Sequence, residues 1–137
     1  MCQGILTISE EVFRLTNVER EKHGLPAFKK ITVLDEIAFV RAWELIPCYS
    51  HNRPDGSSCF TAYDEADLKY SAAAENIAAG YRTPQEVVNG WMNSSGHRSN
   101  ILNEELEYLG VGFYCDSENQ SSKNYKYYWS QNFCTLW

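Results

Sequence analysis

The hydrophobic pattern of this chain changes in its last third. The segments LGVGFYC, residues 109–115, and KYYWSQNF, residues 126–133, are rich in β-branched and aromatic residues, and a polar stretch joins them. This composition predicts two antiparallel strands of one sheet. A third strand is expected from about residues 77–79 or from an extended N-terminal piece. Helical sequence precedes the hairpin, so we predict an α+β fold in which helices pack on a small antiparallel sheet.

Capping and stop signals place the predicted helices. A capping box at residues 7–10 begins the first helix, and His23-Gly24 ends it, where a partly positive imidazole suits the negative helix end. Thr83 caps a later helix, and Glu86 is expected to return to the cap amide. Two further helices are predicted, one over residues 33–46, which ends at Pro47, and one over residues 61–66. The helix that Thr83 caps is expected to run from residue 84 to a stop at residues 93–96, immediately before His97.

The composition is that of one globular domain. With 137 residues, of which 44% are apolar, the chain can bury a core, and we expect residues 1–137 to form a single domain. The net charge of −6 argues against nucleic acid or an anionic membrane surface as a partner, because both attract a basic face. No apolar run predicts a transmembrane segment, and no leader resembles a signal peptide.

The five cysteines cannot all pair within one chain. Cys48 and Cys59 flank the segment YSHNRPDGSS, so either they form a bridge that closes a short loop around His51 or they are two ordinary buried thiols. Cys115 and Cys134 lie near opposite ends of the predicted hairpin and are poorly placed to pair with each other. This cysteine usage permits an extracellular setting.

Three side chains are candidates for a shared site. His51 lies on a loop with a strong turn signal, Glu75 opens the segment ENIAAG, and His97 follows a helix. Two neutral imidazoles and a carboxylate suit zinc with water in a fourth position, or a general acid–base set without metal. Alternatively, His97 caps a helix end, Glu75 accepts loop amides or pairs with Arg53 or Arg98, and His51 is simply solvated.

Several motifs together resemble the CAP superfamily, which comprises cysteine-rich secretory proteins, antigen five and the plant pathogenesis-related group-one proteins. The likeness extends from EEVFRLTNVEREKHGLPAF to the final strand, and it is strongest to the bacterial SCP-like extracellular branch. The segments that carry it are SHNRPDGSSCF, AENIAAGYRTPQEVVNGWMNSSGHRSNIL, LGVGF and WSQNF.

The resemblance implies a three-layer α-β-α sandwich with a cleft on one side. It implies that His51 and His97 face this cleft and bind a divalent metal, often zinc, with Glu75 as the first acid. Ser94 and Asn76 are expected in the same cleft. Ser94 stands where many relatives have a second acid, which puts any two-acid mechanism in doubt. Ala74 replaces the usual glycine and would be strained at a positive φ.

The resemblance also implies an extracellular or cell-surface binding module. Its cleft is expected to take a metal, lipid, peptide, glycan or protein ligand. The alternative is a metal-dependent hydrolase of peptidase or esterase type, in which zinc activates water and Glu75 is the general base. A Ser94–His97 nucleophile pair would need Glu75 as its orienting acid. A third hypothesis is that the chain is a structural domain whose polar cleft is vestigial.

Overall fold

The structure is a computed structural model that describes residues 5–118 and 125–137. Within these ranges, five helices and three strands follow one another along the chain. Their order is α1 (Ile5–Lys22), α2 (Thr32–Glu44), α3 (Thr61–Glu65), β1 (Tyr70–Ala79), α4 (Pro84–Met92), α5 (Ser95–Ile101), β2 (Tyr108–Cys115) and β3 (Tyr127–Leu136). None of these helices is long and apolar enough to cross a membrane.

The strands form one antiparallel sheet in the order β1-β3-β2. The predicted hairpin is confirmed as β2 and β3, and the predicted third strand at residues 77–79 is the end of β1, which begins at Tyr70. On β1, Glu75 pairs with Asn132 and Asn76 with Gln131. Because successive strand residues point to opposite faces, Glu75 and Asn76 project from opposite sides of the same edge strand.

Helices cover both faces of the sheet, which confirms the predicted α+β fold in its three-layer form. The larger part of the core lies between the sheet and the helices α1, α4 and α5, and includes Val12, Val88, Trp91, Ile101 and Trp129. The other face packs against α2 and α3. Burial of these apolar side chains on two faces is the main stabilising contribution to such a small sheet.

Helix α2 packs against β2 at backbone distance. A Cβ atom placed on Gly110 would overlap the carbonyl oxygen of Leu34, and one placed on Gly112 would overlap that of Ala38. The two glycines of the LGVGF segment therefore allow an unusually close approach between helix and strand. This close approach sets the distance of α2 from the sheet and, with it, the position of the Arg41 side chain.

A buried arginine fixes the far end of α5. Arg20 on α1 is 2% exposed, and its guanidinium lies 3.8 Å from the centroid of the Phe28 ring. Its hydrogen bonds go to the carbonyl oxygens of Pro26, Ile101, Asn103 and Leu106. Since α5 carries His97, this contact helps to position the predicted site.

The helix boundaries correct two expectations. The capping box at residues 7–10 is not a helix start, because α1 already begins at Ile5. The stop at His23-Gly24 is confirmed: Gly24 has φ +73°, and Nδ1 of His23 lies 2.9 Å from the Glu19 carbonyl oxygen. Helix α4 ends at Met92 as expected, but a new helix, α5, begins at Ser95. His97 is thus the third residue of a helix, and not a turn residue.

The Thr83 cap is confirmed in part. The Thr83 hydroxyl accepts a hydrogen bond from the Glu86 amide at 3.1 Å, as the capping pattern predicts. The Glu86 carboxylate, however, accepts from the amide of Arg82 at 3.0 Å, one residue before the cap.

The strain considered at Ala74 does not arise. Ala74 lies within β1, and the only non-glycine residue with a positive φ in the described ranges is Asp67.

The cysteines divide into two groups. Cys115 is disulfide-bonded, whereas Cys48, Cys59 and Cys134 are free. The bridge between Cys48 and Cys59 is therefore absent, and the alternative of separate thiols holds. Cys59 is buried and Cys48 is half-buried. The loop around His51 must be held by other contacts.

Candidate functional site

Glu75 is the central carboxylate of the site and is 5% exposed. Arg41 from α2 binds it through two hydrogen bonds, Nε to Oε2 at 2.8 Å and Nη2 to Oε1 at 3.1 Å. Asn132 on β3 adds a bond from Nδ2 to Oε2 at 3.0 Å. Burial acts to raise the pKa of Glu75, but hydrogen bonds from His51 and Arg41, together with the charge of Arg41, hold it below its usual value. Glu75 is therefore an ionised carboxylate at neutral pH.

Arg41 also connects Glu75 to the loop that carries His51. It donates to Glu44 Oε1 and to the carbonyl oxygen of Ser50, both at 2.8 Å. Glu44 in turn accepts from Arg53, with the shortest distance, 2.8 Å, between Nη2 and Oε2. Arg53 also pairs with the exposed Glu65 at 2.9 Å, so positive and negative side chains alternate in one network of two arginines and three glutamates. The prediction that Glu75 pairs directly with Arg53 or Arg98 is wrong, because its arginine partner is Arg41.

His51 is held by Glu75. Its Nδ1 atom lies 3.0 Å from Glu75 Oε1, while 55% of its side chain is exposed. If Nδ1 carries the proton in this bond, Nε2 is left with its lone pair on a partly exposed ring. A carboxylate that orients an imidazole in this way is a common support for a metal-binding histidine. His51 is therefore not simply solvated.

His97 is tied to the same edge strand through its main chain. Asn76 donates from Nδ2 to the His97 carbonyl oxygen at 3.1 Å, and Asn100 donates to Asn76 Oδ1 at 2.9 Å. Asn76 is completely buried beneath the cleft, so it supports the site from below. Burial first, and then the nearby charge of His51, lower the pKa of His97. His51 therefore lies close enough to His97 to affect its protonation.

We expect the pKa of His97 to lie below the usual value for histidine, because burial and the nearby charge of His51 both lower it. Because the folded pKa is lower than the unfolded one, the unfolded chain binds the proton more readily. The contribution of His97 to stability is thus present at neutral pH and is lost as pH falls below about 6.5 through the folded pKa. NMR titration of the imidazole Cε1–H signals, assigned with His97→Gln, checks this. A titration at or above 6.5 would contradict it.

Ser94 and His97 line a cavity of about 250 Å³. Its walls are Tyr49, Ile77, Ala78, Ala79, Tyr81, Gly90 and Trp91. Ser94 is the N-cap residue of α5. Among the hydrogen bonds of the described residues, none joins Ser94 Oγ to an imidazole. A Ser94–His97 nucleophile pair has no geometric support here.

Cys59 was not anticipated at this site. One ligand atom each from Cys59, His51 and Glu75 lie within 4.8 Å of one another. Burial, and next the charge of Glu75, raise the pKa of the Cys59 thiol to about 12, so the thiol is protonated at neutral pH. Glu75 is already engaged by Arg41, whose positive charge opposes a cation there. Of these three residues, His51 is therefore the one whose ligand atom remains available to a divalent ion. A spacing of eight residues between His51 and Cys59 gave no signal of this proximity.

An α-β-α sandwich with two histidines and a buried glutamate at the edge of its sheet defines the class to which this protein belongs. The family model for the cysteine-rich secretory protein family, CAP, matches residues 13–133. The chain is a member of the CAP superfamily.

Bacterial proteins are prominent among the relatives. The chain is 39% identical to YkwD of Bacillus subtilis over 112 residues, which cover 80% of the chain and 44% of YkwD. It is 33% identical to the membrane protein YlbC of the same organism, over 96% of the chain and 35% of YlbC. The chain thus spans less than half of each relative.

A solved structure shows the same fold. An extracellular protein containing an SCP domain from Bacillus anthracis superposes with a TM-score of 0.82 at 29% identity, covering 97% of this chain and 42% of that one. The likeness agrees with the bacterial SCP-like branch indicated by the sequence motifs.

Proposed function

We propose that this chain is a secreted CAP-domain binding module whose cleft holds a divalent metal ion, zinc by preference, between His51 and His97. One observation carries the proposal: a buried, fully engaged carboxylate, Glu75, binds Nδ1 of the partly exposed His51 at 3.0 Å. This contact favours the tautomer in which Nε2 is a ligand. A bound zinc ion would supply Lewis acidity and a coordination position for a ligand atom.

Secretion is supported by two observations. Cys115 takes part in a disulfide, and disulfides persist mainly in oxidising compartments. The similar Bacillus anthracis protein is described as extracellular. We therefore place this domain outside the cytoplasm, in solution or at the cell surface.

A binding role is better supported than hydrolysis. A general base needs an accessible lone pair and a pKa near the working pH. Both oxygens of Glu75 already accept hydrogen bonds from His51, Arg41 and Asn132, and its pKa is lowered. We therefore assign Glu75 a positioning role for His51. The metal-dependent hydrolase remains the alternative, in which some other group would have to activate water.

Calorimetric titration of zinc into chelator-treated protein tests the metal site. We expect saturation near one ion per chain, and loss of binding in His51→Ala and in His97→Ala. Glu75→Gln should weaken binding by about 10-fold to 100-fold, because the orienting carboxylate is lost. Binding should also weaken as pH falls, since imidazole ligands must be neutral.

His23→Ala is the matched control, because His23 lies at the end of α1 and bonds Glu19 and Arg98 instead of the cleft. It should bind zinc as the unchanged protein does. Saturable binding that survives both cleft substitutions, or no heat at neutral pH, rules out the His51–His97 site. Loss of binding in Cys59→Ser with His97→Ala unaffected would instead assign the ion to His51, Cys59 and Glu75.

A further inference from the structure

Tyrosines gather at the mouth of the cleft beside His97. Tyr49, Tyr81 and Tyr125 are all exposed, at 38%, 39% and 46%. Burial first, and then the phenols of Tyr125, Tyr81 and Tyr128, raise the pKa of Tyr49 to about 12. The Tyr49 hydroxyl therefore lies near those of Tyr81, Tyr125 and the buried Tyr128, and Tyr49 stays protonated at neutral pH. The exposed rings of Tyr49, Tyr81 and Tyr125 offer flat apolar surface together with hydrogen-bonding edges.

Glycines fix two of these rings in place. A Cβ atom on Gly90 of α4 would overlap the hydroxyl end of Tyr81, so this ring rests directly on the helix backbone. A Cβ atom on Gly80 would lie 3.0 Å from Cδ1 of Tyr125. The carbonyl oxygen of Tyr81 also accepts a hydrogen bond from Trp129 Nε1 at 3.0 Å. Tyr81 is thus held ready for a ligand, which reduces the entropy lost on binding.

Tyr81 and Gly90 separate two neighbouring cavities. The inner cavity, about 250 Å³, contains Ser94 and His97. The outer one, about 460 Å³, is lined on its polar side by Arg82, Glu86, Asn89 and Asn93. A ligand longer than one cavity would therefore cross the Tyr81 ring.

The chemistry of the inner cavity points to an uncharged ligand. Among the described residues that line it, none is a lysine, arginine, aspartate or glutamate. A fatty-acid or phosphate headgroup would lack a fixed cation there. The polar groups of the inner cavity are hydroxyls and an imidazole, and the outer cavity adds the amides of Asn89 and Asn93 together with one side chain of each charge, Arg82 and Glu86.

An extended peptide is disfavoured by the edge of β1. Strand addition requires free main-chain groups on an edge strand. Trp91 Nε1 already donates to the Ile77 carbonyl oxygen at 3.1 Å, and Asn100 Nδ2 donates to that of Glu75 at 3.4 Å. Side chains therefore occupy the acceptors that a peptide strand would use at this point.

We propose that the groove across Tyr81 binds a neutral oligosaccharide, with the apolar face of one sugar ring stacked on Tyr81 and its neighbours in the two cavities. Sugar rings combine an apolar face with a rim of hydroxyls, which matches a tyrosine ring bordered by hydroxyls and amides. This inference deepens the proposed binding function, since it assigns the ligand class of the same cleft. It does not require the metal ion.

Titration with neutral tetrasaccharides of N-acetylglucosamine and of glucose tests the proposal by calorimetry and by NMR. At least one should bind saturably and shift the signals of Tyr81 and of the Trp129 indole. Tyr81→Ala should weaken that binding about 10-fold, equivalent to ~1.4 kcal/mol. Tyr81→Phe should stay within about 3-fold, because the ring is kept.

Gly90→Ala provides a sharper test, because it leaves Tyr81 present but displaces its ring. It should weaken binding as much as Tyr81→Ala does, with circular dichroism showing an unchanged fold. Trp43→Ala, which removes an exposed aromatic from α2, is the matched control and should bind normally. Absence of saturable sugar binding, equal affinity in Tyr81→Ala, or saturable binding of decanoate that Tyr81→Ala removes, would overturn the proposal.

Each titration is repeated with chelator and with zinc. Sugar binding that persists in chelator, together with no zinc binding, supports the oligosaccharide groove and overturns the proposed metal site. Zinc binding without sugar binding supports the metal site and overturns the oligosaccharide groove. The two proposals therefore fail separately.

Discussion

Arg41→Met is expected to destabilise the protein by about 3–5 kcal/mol, measured by chemical denaturation at pH 7. The arginine side chain is fully buried, and it is bonded to two carboxylates, of which Glu75 has a side chain only 1% exposed. Methionine fills a similar space but leaves Glu75 charged with only His51, Cys59 and Asn132 as donors. The cost arises from a buried charge without its counter-ion, and not from a lost contact alone.

The pH dependence of this loss identifies its cause. In the unchanged protein the pKa of Glu75 is lowered, so its contribution to stability is present above the unfolded value of about 4.5 and is lost as pH falls through the folded value. Without Arg41, burial should instead raise the pKa of Glu75, and protonation relieves the variant. The difference in unfolding free energy should therefore shrink as pH falls from 7 toward 4.

Two further variants serve as controls. Arg14→Met breaks the exposed pair with Glu11, whose members are 61% and 43% exposed, and should cost less than about 1 kcal/mol. Adding Glu75→Gln to Arg41→Met should recover part of the stability, because the unpaired charge is removed. A loss of under 1 kcal/mol in Arg41→Met, or one that does not change with pH, would contradict this account.

Local signals in the sequence were sufficient for most of the architecture. The Thr83 cap, the Gly24 stop and the aromatic strands each depend on a few neighbouring residues, and each appears near its predicted position. The family motifs identified His51, Glu75 and His97 as candidate site residues. The structure brings His51 and Glu75 into direct contact. Such features are predictable because they depend on short segments or on a shared family pattern.

Long-range packing supplied what the sequence did not reveal. Arg41 looked like an ordinary charged residue in a helix, and nothing local indicates that it faces Glu75, 34 positions later. Helix α5 was missed because its N-cap, Ser94, directly follows Asn93, the C-cap of α4, so no loop separates the two helices. Cys59 approaches Glu75 only because the loop after His51 folds back, with the Cys59 amide donating to the His51 carbonyl oxygen at 3.0 Å.

The second large effect is expected at Gly112, which looks replaceable from sequence alone. Gly112→Ala should destabilise the protein by about 3 kcal/mol, at the upper end of the range for overpacking, because its methyl group would overlap the carbonyl oxygen of Ala38. That oxygen belongs to the α2 backbone and cannot rotate away as a side chain would. Chemical denaturation measures the loss, and Gly110→Ala should act in the same direction, through Leu34.

Gly96→Ala is the matched control and should have the opposite sign. A Cβ atom there meets nothing within 4 Å, and alanine in helix α5 should add up to about 1 kcal/mol of stability. A neutral effect of Gly112→Ala would show that α2 has room to move away from β2.

Helix α2 also carries Arg41. The zinc affinity of Gly112→Ala therefore reports whether the distance between α2 and the sheet controls the site. We expect weaker zinc binding, since Arg41 would shift relative to Glu75 and the carboxylate would orient His51 less well.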